Sequence, residues 1–170
     1  VKLRTLVLPV TAALILIADQ VSKHLVRTSL TEGQSWDIAP WLAPIVRVTH
    51  VTNTGVAFGM FQGLGKLGIL VAIVVIVLIL YYYRQLPDGQ WLMRAVLGLA
   101  LGGACGNLID RLRFDGTVLD FIDFNFWPFQ DFPVSNIADV SIVSGVSLMM
   151  LMLLWEDRQE RLRLQAEESE

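Results

Sequence analysis

Cysteine and histidine are almost absent from this chain: one Cys, Cys105, and two His, His24 and His50, in 170 residues. One cysteine cannot close a disulfide within the chain, so no disulfide framework holds the fold. Neither histidine belongs to an H-E-x-x-H arrangement, and neither accompanies the acidic residues as a metal ligand. Ser135, Ser141 and Cys105 have no histidine nearby in sequence to serve as a base for a nucleophile. Charge is scarce as well, at 17% of residues against roughly 25% in a soluble domain. A net charge of −3 leaves no polybasic face, which excludes nucleic acid as a partner. What is abundant is apolar surface, with 54% hydrophobic residues and a mean hydropathy of +0.57. That balance excludes disorder and a solvated coiled coil. A soluble domain of this size buries only about two-thirds of its chain's surface and could not hide it. The chain reads as one integral membrane domain spanning residues 1–170.

Four apolar stretches carry no charge: Thr5–Ala18, Leu67–Tyr83, Ala95–Ile109 and Val140–Trp155. A membrane-crossing helix needs roughly 20 residues, about 17–25 in practice. The second stretch qualifies alone. The others reach spanning length by drawing in polar ends: Asp19, then Asn107 and Asp110, then Asn136 and Asp139. The expected spans are 5–21, 67–83, 92–110 and 137–155, followed by a charged, helix-prone tail over 156–170. Carboxylates at the rim of a span are costly and point to function. Lys2 and Arg4 before an apolar run also describe a cleavable signal peptide, but no small-x-small site follows, Leu16 and Ala18 filling that pair.

With the N-terminus inside, the inner segments hold Lys2, Arg4, Arg84, Arg94, Arg158, Arg161 and Arg163. The outer ones hold Lys23, Arg27, Arg47, Lys66, Arg111 and Arg113, spread over much longer segments. Density therefore favours both termini inside. Asp19, Asp110 and Asp139 then share the outer face, and the loop before the last span adds Asp115, Asp120, Asp123 and Asp131. Ile45–Thr52, rich in β-branched residues, reads as a strand in the outer segment, and Asn53-Thr54-Gly55 reads as a turn after it. Trp36, Trp41, Phe58, Phe61, Phe124, Phe126, Trp127 and Phe129 read as an outer interfacial belt; Tyr81–Tyr83, Trp91 and Trp155 read as an inner one. Gly98, Gly102 and Gly106, four apart with Gly103 and Ala104 between them, would let another helix backbone approach the third span. Cys105 in that stretch reads as a small apolar filler.

Asp19 and Lys23 lie four apart and would share a helix face; so would Asn107, Asp110 and Arg111, and so would Asn136 and Asp139. With metal, serine and cysteine chemistries set aside, a pair of aspartates remains. Two close carboxylates share one proton, so one acts as base on a water and the other as acid. Such a pair needs water and belongs at the bilayer edge. Any single polar pair could equally be an interhelix hydrogen bond.

Five blocks in order carry a resemblance over essentially the whole chain. They are Asp19-Gln20-Val21-Ser22-Lys23, Asn53–Phe58, Gly102–Arg111, Val118–Ile122 and Phe132–Asp139. The sequence resembles lipoprotein signal peptidase, also called signal peptidase II. The resemblance implies an all-α membrane protein: a bundle of four transmembrane helices with a small extracytoplasmic β-element and a short interfacial helix. It implies an aspartic endopeptidase of the bacterial inner membrane that works at the outer face. Such an enzyme cuts diacylglyceryl-prolipoproteins on the N-terminal side of the lipidated cysteine. By block matching, the catalytic pair is Asp120 and Asp139. Asn53, Gly55, Asn107, Arg111, Asn136 and Ala138 match positions that hold substrate or support the pair, and Asp19 and Lys23 match a supporting motif. The resemblance implies no metal or cofactor, membrane lipids as partners, a monomer, and inhibition by cyclic peptides such as globomycin. Two rival readings fit the residues less well. A small transporter or channel subunit would thread its acids across the bilayer and favour internal repeats, and neither is seen. A scaffold whose polar pairs only pack helices would leave two Asp-bearing blocks without a role.

Overall fold

The computed structural model describes residues 3–55 and 65–168. A short 3-10 turn, Leu3–Leu6, leads into α1, Val7–Ser29. Strands β1, Ser35–Trp36, and β2, Val46–Asn53, follow; then come helices α2, Gly65–Gln85, and α3, Trp91–Arg113, strand β3, Val118–Phe124, and helix α4, Ile137–Glu168. The three strands form one antiparallel sheet in the order β1-β2-β3. The expected strand at Ile45–Thr52 is present one residue later. β3 falls where only a loop was expected. Its Val-Leu-Asp-Phe-Ile-Asp-Phe run does not alternate cleanly, and its partner β2 lies far back in the chain. The strip Val56–Phe61, with Phe58, and the N-terminal Lys2 lie outside the described residues. The helix-prone tail continues α4 without a break as far as Glu168.

Among the described residues, three helices are long and apolar enough to cross a membrane: Lys66–Gln85, Trp91–Arg113 and Ile137–Glu167. α1 falls short because Asp19, Gln20 and Lys23 interrupt its apolar run. The most apolar stretch of α3 is 67% buried, against 11% in α2 and 17% in α4. α3 is therefore the inner helix, and α1, α2 and α4 each pack on it. Apolar side chains cover most of the outward faces of α2 and α4, as lipid-facing surfaces require.

The glycine spacing in α3 has the expected consequence. A Cβ on Gly98 would sit 2.7 Å from Thr11 Cβ, and one on Gly102 would sit 2.6 Å from the Ala12 carbonyl oxygen. On the other side, a Cβ on Gly103 would run into the Ala138 carbonyl oxygen of α4. Gly145 of α4 returns the approach, since a Cβ there would sit 3.0 Å from the Val96 carbonyl oxygen. Backbones this close bring short polar side chains on three helices within hydrogen-bond reach. Cys105 packs against the apolar cluster built on Leu97 and Leu101, as a filler should.

Gly103→Val should lower stability by about 1–3 kcal/mol, since the neighbour to be displaced is main chain rather than a flexible side chain. Thermal unfolding in detergent reads this out. Cys105→Ala on the same helix should move the transition much less, and equal transitions would contradict the close-approach account.

Candidate active site

Each carboxylate comes to the site on a different element. Asp120 lies in β3, where alternation puts Val118, Asp120 and Phe124 on one face. Those three line a cavity of about 490 Å³, and Asp139, Asn53, Asn107 and Arg111 line it too. Asp123, three residues from Asp120, falls on the opposite face and accepts a 2.7 Å hydrogen bond from Thr49 Oγ1. Asp115 is exposed and paired with Lys66 at 3.1 Å, and Asp131 is exposed. So of the seven acids expected at one face, Asp19, Asp110, Asp120 and Asp139 converge and the other three do not.

Asp139 is the third residue of α4, and Asn136 is the cap before it. Asn136 Oδ1 accepts the Asp139 N–H at 2.9 Å, and Asp139 Oδ2 accepts the Asn136 N–H at 3.2 Å. This is a reciprocal capping box, with Asn and Asp in place of the commoner Ser and Glu. Asp19 Oδ1 accepts the Ala138 N–H at 3.0 Å and so caps the same helix from α1. The negative ends also suit the positive pole of a helix N-terminus. Ala138 is fully buried at the α3–α4 approach. Its place there is set by size and by this N–H.

The amide of Asn136 ties the two carboxylates together. Its Nδ2 donates to Asp120 Oδ1 at 2.6 Å, while its backbone and Oδ1 hold Asp139. The second Asp120 oxygen accepts from Asn53 Nδ2 at 2.9 Å. Asn53 is itself oriented by the turn after β2, where its Oδ1 accepts the Gly55 N–H at 2.8 Å. Asn107 Nδ2 donates to Asp139 Oδ1 at 2.7 Å. Arg111 donates to the Gly55 and Asn107 carbonyls at 3.2 and 3.3 Å and so ties the turn to α3. Behind these lie Lys23, Asp19 and Asp110, all essentially without solvent contact. The cation between Asp19 and Asp110 is thus a side chain of the protein.

Two participants carried no individual signal in the sequence. Gln20 donates to Asp19, Asp110 and the Gly106 carbonyl at 3.1–3.2 Å. Gly68 of α2 leaves room for the Arg111 side chain, which a Cβ there would strike. The aromatics expected in an interfacial belt divide into two groups. Trp36, Trp41 and Trp127 are well exposed, but Phe124, Phe126 and Phe129 pack ring against ring and, with Phe132, which was not among the expected belt, wall the cavity. His50, a possible reactive group by type, donates from Nδ1 to the Leu30 carbonyl at 2.8 Å and belongs to the sheet's framework.

Burial pushes the Asp120 carboxyl up to about 7, and the neighbouring Asp139 charge adds to the rise. The Asn53 and Asn136 amides and the Lys23 ammonium pull the other way without cancelling it. A carboxyl poised near neutrality beside a second carboxyl can hold a proton while its neighbour accepts one.

The chain matches a model of the family described as Signal peptidase (SPase) II over residues 11–155. Its relatives include the lipoprotein signal peptidase of Desulfitobacterium hafniense (strain DSM 10664 / DCB-2), 42% identical over 89% of this chain and 95% of that protein. The lipoprotein signal peptidase of Staphylococcus carnosus (strain TM300) is 35% identical over 86% and 89%. A solved structure described as a bacterial membrane enzyme, determined by the in meso method at 2.3 Å resolution, superposes with a TM-score of 0.76. It is 33% identical, with 87% of each chain covered.

The raised Asp120 value has a signed consequence for stability. Between the usual 3.8 and about 7 the folded protein keeps a proton that the unfolded chain releases, so stability falls as pH rises through that window. Asp120→Asn cannot ionise. It should therefore resist heat better than the parent near pH 8.5, by up to about 4 kcal/mol less the loss of one accepting oxygen. Near about pH 4 that advantage should vanish or reverse. Melting curves at the two pH values check it, and a difference independent of pH would contradict it.

Proposed function

This chain belongs to the signal peptidase II family, aspartic-type proteases that remove signal peptides from prolipoproteins, and on that premise we propose that Asp120 and Asp139 are its catalytic pair. The observation that carries the assignment is geometric. Both carboxylates line the same cavity, and a single residue, Asn136, holds them both. In this reading Asp139, as carboxylate, takes a proton from a water whose oxygen attacks the scissile carbonyl. Asp120, protonated, gives its proton to the carbonyl oxygen as the tetrahedral intermediate forms. Collapse then breaks the C–N bond: the proton taken by Asp139 passes to the leaving amine, and one hydroxyl proton of the gem-diol returns to Asp120, which leaves a carboxylic acid and restores the pair. The raised Asp120 value supports giving it the acid role. Asn53, Asn107 and Asn136 orient the pair, and Arg111 and the Gly55 turn frame the place where the peptide lies.

The substrate class follows from the family together with the shape of the cavity. Its walls are mostly apolar, from α2, α4 and the phenylalanine cluster, with the pair, Asn53, Asn107, Arg111, Ser135 and Ser144 as the polar groups. A diacylglyceryl-prolipoprotein suits such a site: the acyl chains stay among apolar groups and the peptide bond reaches the acids. At about 0.8 kcal/mol per buried CH₂, two acyl chains fix depth better than any peptide side chain. Cleavage is then on the N-terminal side of the lipidated cysteine, whose place in the bilayer sets the position of the bond. We place the enzyme in the bacterial inner membrane as a monomer, with α1 as a fourth span, both termini cytoplasmic and the pair at the outer edge. Cyclic peptides of the globomycin type would inhibit by filling the same cavity.

Asp120→Asn and Asp139→Asn should each abolish cleavage of a diacylglyceryl-prolipoprotein by purified protein in detergent. Asp123→Asn should keep substantial activity, because its side chain is on the far face of β3. Activity in Asp120→Asn with loss in Asp123→Asn would refute the pair. An unlipidated precursor should be cut very poorly even at high concentration, and equal rates for the two precursors would refute the lipid role.

A further inference from the structure

Lys23 touches neither the cavity nor either acid of the pair, yet it is 1% exposed in a cluster that is otherwise acidic. Its ammonium has three hydrogens, and three acceptors meet them: Asp19 Oδ2 at 2.9 Å, Asn107 Oδ1 at 3.0 Å and Asp110 Oδ2 at 3.1 Å. Of these acceptors, Asn107 is the neutral one, and its other end donates to Asp139 at 2.7 Å. A side-chain amide can turn over with no change of shape, exchanging its oxygen and nitrogen. Turned over here, the NH₂ would face an ammonium and the carbonyl oxygen would face a carboxylate. Asn136 also donates to Asn107 Oδ1, at 3.2 Å, but the same NH₂ faces Asp120 Oδ1 at 2.6 Å and the Leu119 carbonyl at 3.4 Å. Two hydrogens shared among three acceptors hold the amide less firmly than a dedicated cation.

We propose that Lys23 is a positioning residue for peptide cleavage: it locks the Asn107 amide with its N–H aimed at Asp139 and sets a fixed positive charge behind the acid pair. The proposal rests on the reading that Asp120 and Asp139 are that pair. The charged groups facing the pair are Asp19 and Lys23 from α1 and Asp110 and Arg111 from α3; β2 contributes the neutral Asn53. Arg111 reaches the pair's side of Asn107 through the backbone carbonyl and leaves the amide's orientation to Lys23. Because the Lys23 charge favours the ionised form of Asp120, its removal should move the pH optimum upward.

The test uses the full chain in detergent with a diacylglyceryl-prolipoprotein substrate. One variant is Lys23→Met. The second is Lys23→Met with Asp110→Asn, which removes a carboxylate with the ammonium and avoids leaving two unpaired acids in the interior. Both should lose about a hundredfold in kcat with KM held within about threefold, the loss expected when reacting groups are misplaced rather than substrate binding weakened. The optimum of Lys23→Met should rise by about one pH unit, and that of the double variant by less. A kcat like the parent's, or an unchanged optimum in both, overturns the proposal. So does failure of both variants to accumulate in membranes, which would make the cluster a folding element. Asp139→Asn separates the two levels: activity there sinks the pair itself, whereas an inactive Asp139→Asn beside Lys23 variants with the parent's pH profile sinks only the role given to Lys23.

Discussion

The arrangement depends on how closely α3 lets its neighbours approach. Four glycines, at 98, 102, 103 and 106, bring the backbones of α1 and α4 against α3 where any Cβ would collide. Only at that separation can residues as short as Asp19, Asn107 and Asn136 bridge three helices. Gly106 illustrates the coupling, because the space its missing Cβ would fill is taken by the Asp19 carboxylate. Packing in an apolar phase gains little from the hydrophobic effect, so close contact and internal hydrogen bonds must hold the helices together. Here one small-residue surface supplies both.

The price of this design is a set of ionisable groups without water. Asp19, Lys23 and Asp110 are almost wholly buried, and such groups are tolerated only when every charge has partners. They do have them: an ammonium with three acceptors, a carboxylate capping α4, and another meeting Gln20 and the Leu119 N–H. Asp120 is the exception in kind. Its two oxygens are hydrogen-bonded, yet burial and a neighbouring acid still disfavour its charge. The well-paired cluster gives rigidity, and in the proposed mechanism the poorly stabilised carboxyl supplies the acid, at a cost in stability.

Much of the site was legible in the sequence because helical spacing is a local rule. Asn136 three before Asp139 gave a shared face, and the structure adds that the pair is a capping box. Asp19 four before Lys23 also gave a shared face, and the structure adds that the two form an ion pair at 2.9 Å. The strand at 46–53 was legible from its β-branched run. β3 was not, since its pairing spans the chain from 46 to 124 and its two aspartates break any simple alternation. Placing seven acids at one membrane face did not say which of them meet. Sharing a loop does not mean sharing a face, and Asp115, Asp123 and Asp131 turn elsewhere. The phenylalanines after β3 read as membrane anchors because aromatic composition is the same in a belt and in a cavity wall.

The sequence alone determined that this is a membrane protein, where its apolar helices lie, which family its blocks resemble, and which polar residues share a helix face. These follow from composition and from periods of two and 3.6 residues, which neighbours along the chain can express. Only the tertiary structure decided that Asn136 and Asn107 join the acids, that Asp123 faces away, and that Lys23 lies behind Asn107 with all its hydrogens engaged. Those facts turn on side-chain directions among α1, α3, α4 and β3. Such directions are set by where the glycines let the helices meet, and by a strand pairing that no local pattern encodes.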